Sequence, residues 1–146
     1  MSALGLGGFL VIALAGAFGA LGRYLLDVSI SSRQHRRAPS GARIFPLGIL
    51  AANTVACFLV GAAAAWAGNH AIDWAPGTLS GAPGLLVLTL VVGVGGGLST
   101  MSTFMVAVVS LWRSGARAMA GAYLGLTLGT GMAAGIIGGL AAALLP

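Results

Sequence analysis

Four long apolar stretches constrain this chain more than any other feature of its sequence. They run over residues 4–26, 45–67, 85–112 and 118–145. Each is close to the about 20 residues that a helix needs to cross the hydrocarbon core of a bilayer. The sequence therefore predicts an all-α membrane protein whose single domain, residues 1–146, contains four transmembrane helices.

The composition excludes an ordinary soluble domain. Charged residues make up 6% of the chain, against about 25% in soluble domains. Lys and Glu are absent, and the acidic residues are Asp27 and Asp73. The arginines lie too deep in apolar sequence to suggest a nucleic-acid partner, so the expected surroundings are a lipid bilayer. Cys57 is the only cysteine, which excludes a disulfide framework and favours a packing role.

The seven arginines predict how the chain is oriented in the membrane. Five lie in or next to the first connection and two in or next to the third: Arg23, Arg33, Arg36, Arg37 and Arg43, then Arg113 and Arg117. An even number of spans separates these connections, so both lie on the same side of the membrane. By the positive-inside rule this side is the cytoplasm, and both termini are outside.

Glycines at regular spacing predict close helix packing. Gly16, Gly19 and Gly22 recur every third residue on the first span, and Gly121, Gly125 and Gly129 every fourth residue on the last. Small residues at these intervals allow helix backbones to approach each other closely in lipid.

Enzyme chemistry finds no support in the sequence, and the chain is not expected to be an enzyme. The run from Gly93 to Thr100 resembles a phosphate-binding loop, but it lacks the Lys and the preceding strand. No carboxylate lies within a span, which excludes acid–base catalysis and a proton relay there.

Neutral polar groups remain at membrane depth. Gly95, Gly96 and Gly97 precede four hydroxyl residues, namely Ser99, Thr100, Ser102 and Thr103. This composition predicts that the third helix is broken near mid-membrane, which lipid tolerates only where protein or a cavity covers the backbone. Asn53, about two turns into the second span, is either an interhelical hydrogen-bonding residue or part of a polar site.

In four places the sequence resembles the CrcB/Fluc family of small bacterial fluoride channels. Residues 16–24 resemble its Gly-x-x-Gly-Ala-x-x-Arg-Tyr signature, and residues 45–53 resemble the segment that places its pore Asn. Residues 96–104 resemble its Gly-x-Thr-Thr-Phe-Ser-Thr-Phe box, and Tyr123 with Thr127 resembles the start of its fourth-span hydroxyl track.

The resemblance implies a fluoride-selective channel that exports fluoride across the bacterial plasma (inner) membrane. It implies an antiparallel dimer with two pores, each lined by both subunits. The residues that it implies for the pore are Asn53, Met101, Ser102, Thr103, Phe104, Tyr123 and Thr127. Arg23 either concentrates anions at the pore mouth or only anchors the helix. The resemblance further implies a central sodium ion on the backbone carbonyls of Gly96 and Ser99, which fits the preference of hard cations for oxygen ligands.

The sequence departs from the family pattern at three positions. Met101 replaces an aromatic residue, Ser99 replaces a Thr, and Gly131 lacks the second hydroxyl of the fourth-span track. Together with the one-sided arginines, these departures predict a heterodimer with an oppositely oriented paralogue, the alternative being a homodimer.

Two other functions remain open from the sequence. One is a structural membrane subunit without a pore. The other is a small-multidrug-type exchanger, which needs an acidic residue in the middle of the first span, where this chain has none.

Overall fold

The computed structural model describes residues 6–39, 44–70 and 81–144, and every regular element in these ranges is a helix. Arg43 and Asp73 lie outside them. Four helical stretches are long and apolar enough to cross a membrane: Leu6–Arg37, Leu47–Asn69, Pro83–Arg113 and Arg117–Ala143. The predicted all-α membrane architecture with four spans is confirmed.

Helix α1, Leu6–Arg37, is longer than the apolar stretch that predicts it. The sequence predicts that the first connection begins at Asp27, whereas the helix continues to Arg37. The segment between them contains no Gly or Pro, and the basic residues of the last turn interact favourably with the negative end of the helix dipole. Pro39 then follows, and the residue before a proline is disfavoured in a helical conformation.

The third span is built from four helical pieces. These are α3 (Gly81–Leu88), a π-helix (Thr89–Gly95), α4 (Gly96–Leu98) and α5 (Met101–Arg113). Ser99 and Thr100 are extended, with φ and ψ of −77° and 143° and of −146° and 110°. The predicted break is therefore confirmed. The π-helix was not predicted, and its wider turns often occur next to functional sites.

Helix α2, Leu47–Asn69, packs along α6, Arg117–Ala143, with the backbones nearly in contact. A Cβ atom added to Gly61 would lie 2.9 Å from the Cα of Gly135. Helix α1 approaches the third span equally closely, since a Cβ on Gly19 would lie 3.0 Å from the nitrogen of Leu98. These contacts leave room for no side chain beyond a hydrogen atom.

The two glycine series have different outcomes. The packing role predicted for Gly19 is confirmed by its contact with the third span. Gly121, Gly125 and Gly129 would each meet nothing within 4 Å, so the prediction that they pack helices together is wrong within the subunit. On α6 that role falls to glycines further along the helix, such as Gly138.

Both arginine-bearing connections lie at one end of the bundle. A buried apolar cluster joins Ile49 at the start of α2 to Leu111, Ala116 and Ala120 around the turn between α5 and α6. Gly115 makes that turn tight with a φ of 81°. This placement agrees with the topology that the sequence predicts, in which the first and third connections share one side.

We expect Gly61→Ala to lower the free energy of unfolding by about 1–2 kcal/mol. Overpacking costs about 1–3 kcal/mol, and the upper part of this range applies because the added Cβ would overlap the backbone of Gly135. Alanine regains about 1 kcal/mol of this cost through its higher helix propensity. Gly125→Ala is the matched control because its position is open in the subunit. Equal unfolding midpoints for the two purified variants would contradict the close approach of α2 and α6.

Candidate functional site at the break of the third span

Asn53 of α2 is bonded directly to the break. Its Oδ1 accepts a hydrogen bond of 2.9 Å from the backbone N–H of Thr100. A backbone N–H can only donate, so the atom facing it must be the amide oxygen, and this fixes the orientation of the side chain. Asn53 is 9% exposed, and its NH₂ group has no acceptor among the described residues. The side chain therefore keeps two donor hydrogens available at membrane depth.

Thr100 connects Asn53 to the hydroxyl groups of α5. Its Oγ1 accepts from the backbone N–H of Thr103 at 3.3 Å, as the N-cap of α5. The same hydroxyl donates to Oγ1 of Thr103 at 3.0 Å and lies 3.5 Å from Oγ of Ser102. Since the Thr103 oxygen already accepts, the Thr103 hydroxyl proton is left to donate to another group. Hydrogen bonds in such a chain polarise and strengthen one another.

The same contacts release two backbone carbonyls. In a continuous α-helix the carbonyl of Gly96 would accept from the N–H of Thr100, and that of Ser99 from the N–H of Thr103. Here the first N–H donates to Asn53 and the second to the Thr100 side chain. The carbonyls of Gly96 and Ser99, which are the predicted sodium ligands, thus lose their helical donors. Free carbonyl oxygens are the ligand type that suits a hard cation.

Aromatic rings pack beside the hydroxyl groups. Phe104 is 2% exposed, and its ring centroid lies 5.4 Å from that of Tyr123. Phe45 meets Tyr123 edge-on at the same distance, with an interplanar angle of 84°. Tyr123 is fully buried, and its hydroxyl oxygen has no hydrogen-bond partner among the described residues. Met101, at 65% exposure, points away from this cluster.

On α6 the predicted polar track is short. The hydroxyl of Thr127 donates to the backbone carbonyl of Tyr123 at 2.8 Å, so its proton is directed along its own helix. At Gly131 an added Cβ would lie 3.3 Å from Sγ of Cys57. The thiol of Cys57 therefore occupies the space beside the missing side chain. A serine at position 131 would require Cys57 to shift.

An open cavity of about 480 Å³ lies between α2, the third span and α6. Ser99, Cys57 and Gly131 line it together with apolar residues such as Val60 and Ile136. The break of the third span thus borders an opening on the surface of the subunit rather than a closed core.

Arg23 lies apart from these groups. It is half-buried on α1 and has no hydrogen-bond or ion-pair partner among the described residues. One turn further along, Asp27 accepts from the hydroxyl of Ser31 at 3.1 Å and packs against Gly48. A guanidinium group without a partner in this position can attract anions to a pore mouth and can also anchor the end of the span.

Comparison with known proteins identifies the family. Residues 10–139 match the family described as CrcB-like protein, Camphor Resistance (CrcB). The chain belongs to the CrcB family. The match includes residues of all four spans. The family membership predicted from four short motifs is therefore confirmed over most of this chain.

Several relatives of this CrcB chain carry a functional name. The Fluoride-specific ion channel FluC of Renibacterium salmoninarum is 35% identical over 129 residues, 87% of this chain and 92% of the relative. Fluoride-specific ion channel FluC 3 of Bifidobacterium longum is 37% identical, covering 88% of this chain and 93% of the relative. Fluoride-specific ion channel FluC 1 of the same organism is 38% identical, covering 70% and 71%.

The structure brings some of the predicted CrcB site residues together and adds others. Thr100 contacts three of the predicted residues, namely Asn53, Ser102 and Thr103. Thr100 itself was not predicted to belong to the site. A Ser or Thr immediately before a helix is a strong N-cap signal, and this signal could have identified Thr100. A second missed contact joins the hydroxyls of Thr54 and Thr130, 3.1 Å apart between α2 and α6.

Proposed function

We propose that this chain is one subunit of a passive, fluoride-selective channel that lets fluoride leave the cytoplasm. The observation that carries the proposal is the fixed amide of Asn53, whose oxygen is held by Thr100 while its NH₂ stays unpaired. Membership of the CrcB family and the names of the relatives support the same function.

Fluoride is small, strongly hydrated and able only to accept hydrogen bonds. A selective pore must replace its water with donors that are already in place. The described free donors are the NH₂ of Asn53, the hydroxyl of Thr103 and the buried hydroxyl of Tyr123. Ser102 lies 3.5 Å from Oγ1 of Thr100, whose own proton goes to Thr103, so Ser102 adds a donor when its proton turns away from Thr100. Thr127 contributes a donor only after its proton leaves the Tyr123 carbonyl.

Aromatic ring edges are the second kind of contact in the proposed pore. The edge of an aromatic ring carries positive potential and attracts an anion. Phe104 is held by Tyr123 inside the subunit, whereas Met101 extends outwards and offers only a thioether. We infer that a second subunit completes the wall at Met101.

Met101→Phe is expected to be tolerated and to raise fluoride flux. The ring edge adds an attractive contact for the anion, and the second subunit would adjust to the larger side chain at a cost of about 1–3 kcal/mol. Flux into fluoride-free buffer from loaded liposomes measures the effect. A fall in flux with assembly unchanged would show that the methionine itself is tuned for the pore.

Sodium is proposed to stabilise the break. The released carbonyls of Gly96 and Ser99 fit a hard cation, and a second copy of the break would double the number of oxygens. Unwound carbonyls in membrane helices commonly coordinate such ions. Bound sodium would supply positive charge near the donors and fix the extended backbone of both subunits.

The proposed partner is a paralogue that inserts in the opposite orientation. All seven arginines lie in or next to connections on one side, and charges close to the ends of spans strongly control orientation. Identical copies should therefore rarely meet antiparallel. The two FluC proteins of Bifidobacterium longum show that one organism can hold more than one member.

Fluoride efflux from liposomes tests the channel and its partner together. The chain is reconstituted alone and with an oppositely biased member from the same genome. Single cysteines replace Ser2 or Ser32 in a Cys57→Ser background, and their labelling from each side of the membrane of cells that express the chain alone reports its orientation. We expect one-sided labelling, slow efflux alone and fast efflux with the partner.

The possible results separate the two parts of the proposal. Equal labelling from both sides with robust efflux from the lone chain would reject the heterodimer and keep the channel. Absence of fluoride efflux in every combination, with folded protein in the liposomes, would reject the channel and favour a structural subunit.

A further inference from the structure

The extension of α1 beyond the apolar stretch carries a basic patch formed by Arg33, Arg36 and Arg37. All three side chains are exposed, and none has a hydrogen-bond or ion-pair partner among the described residues. Asp27, the one carboxylate in the described ranges, is bonded to Ser31 and packed against Gly48. The positive charge of the patch is therefore not compensated by the described part of the protein.

Two adjoining cavities lie beside the basic patch. One, of about 230 Å³, is lined by Ile30, Arg33, Gln34 and Arg37. The other, of about 280 Å³, is lined by Gln34, Arg37, Ala38, Ile44 and Phe45. Each combines a guanidinium group with apolar side chains. A residue that only sets the topology of the chain needs nothing but its charge. Here the guanidinium groups also line openings whose other walls are apolar.

The two helix ends that line these cavities are joined by a contact that does not involve the arginines. Nε2 of Gln34 donates to the backbone carbonyl of Phe45 at 3.0 Å and ties the α1 extension to the start of α2. Arg33 and Arg37 are four residues apart on this helix. The helix therefore places both arginines on the same face, one turn apart.

We propose that these cavities bind the headgroup of an anionic phospholipid of the surrounding bilayer. Its phosphate would lie between Arg33 and Arg37, since guanidinium groups bind phosphate through two parallel hydrogen bonds. Its glycerol and first methylene groups would cover Ile30 and Phe45. The patch begins about two helical turns beyond the apolar stretch that ends at residue 26, so it lies at the level of the headgroups, where basic side chains attract anionic lipid.

Binding of short-chain lipids to the purified full chain tests the proposal. The probes are dihexanoyl phosphatidylglycerol, dihexanoyl phosphatidylcholine and inorganic phosphate, titrated in neutral detergent. We expect the phosphatidylglycerol to bind at least about tenfold more tightly than the zwitterionic lipid, because each basic residue near the headgroups adds attraction. Inorganic phosphate, without the apolar part, should bind far more weakly.

Two double variants locate the site. R33Q/R37Q should reduce phosphatidylglycerol affinity to that of phosphatidylcholine, whereas R113Q/R117Q removes the same charge elsewhere and should leave affinity unchanged. Circular dichroism confirms that each variant keeps its helices. Equal loss in both variants would show a general charge effect and overturn the site. The proposal of an anionic phospholipid would be overturned if phosphatidylglycerol bound no more tightly than phosphatidylcholine or than inorganic phosphate.

Discussion

Asn53→Asp is expected to abolish fluoride flux while leaving the subunit folded. The carboxylate oxygen can still accept from the Thr100 N–H, so the contact between α2 and the break is kept. The NH₂ donor is lost, and a negative charge takes its place beside the path of an anion. Like-charge contacts cost several kcal/mol, and each 1.4 kcal/mol is a factor of about ten, so flux should fall at least about hundredfold.

Asn69→Asp is the matched control for that variant. It makes the same chemical change on the same helix, at a residue whose Nδ2 donates to the carbonyl of Ala142 near the far end of α2. We expect its fluoride efflux to remain within about twofold of the unmodified chain, since surface polar changes are usually small in energy. If Asn53→Asp keeps full efflux with correct assembly, the side chain serves only to join helices.

The sequence left two interpretations of Asn53 open, and the structure supports a part of each. The amide oxygen joins α2 to the third span, which is the interhelical bond. The NH₂ group remains free among the described residues, which is what a polar site needs. Sequence reasoning could not separate these interpretations, because they belong to two atoms of one side chain.

The broken third span was predictable, whereas the continuation of α1 was not. Three glycines followed by hydroxyl residues weaken a helix directly, and Ser99 with Thr100 is extended as expected. At Asp27 the apolar pattern ends, but the helix does not, because hydropathy reports contact with lipid and not backbone conformation. Polar residues without Gly or Pro continue a helix readily.

The glycines on α6 show a second limit of prediction from the sequence. The spacing of Gly121, Gly125 and Gly129 is as regular as that of the first span, yet within the subunit these three glycines meet nothing within 4 Å, whereas Gly19 lies against the third span. Periodicity identifies a smooth helix face, but it does not identify the helix that covers it. That depends on the rotation of each helix, which the sum of its packing contacts decides.

The second large effect is expected from Thr100→Val. Valine keeps the shape of threonine but removes the hydroxyl that caps α5 and donates to Thr103. Loss of an N-cap costs about 0.5–2 kcal/mol, and the Thr103 proton, no longer directed, can turn back to its own helix. We expect fluoride efflux to fall at least about tenfold, in line with about 1.4 kcal/mol of lost donor alignment.

Controls and a double-mutant cycle distinguish this positioning role from simple loss of stability. Thr89→Val removes a hydroxyl from the same span, one that donates to the Leu85 carbonyl, and it should leave efflux nearly unchanged. Thr100→Ser keeps the hydroxyl and should restore most of the flux. If Thr100 acts through Thr103, adding Thr103→Val to Thr100→Val should reduce efflux little further, because residues in one network are not additive. Fully additive losses would mean that each hydroxyl acts independently, and that Thr100 supports the helix without directing the Thr103 donor.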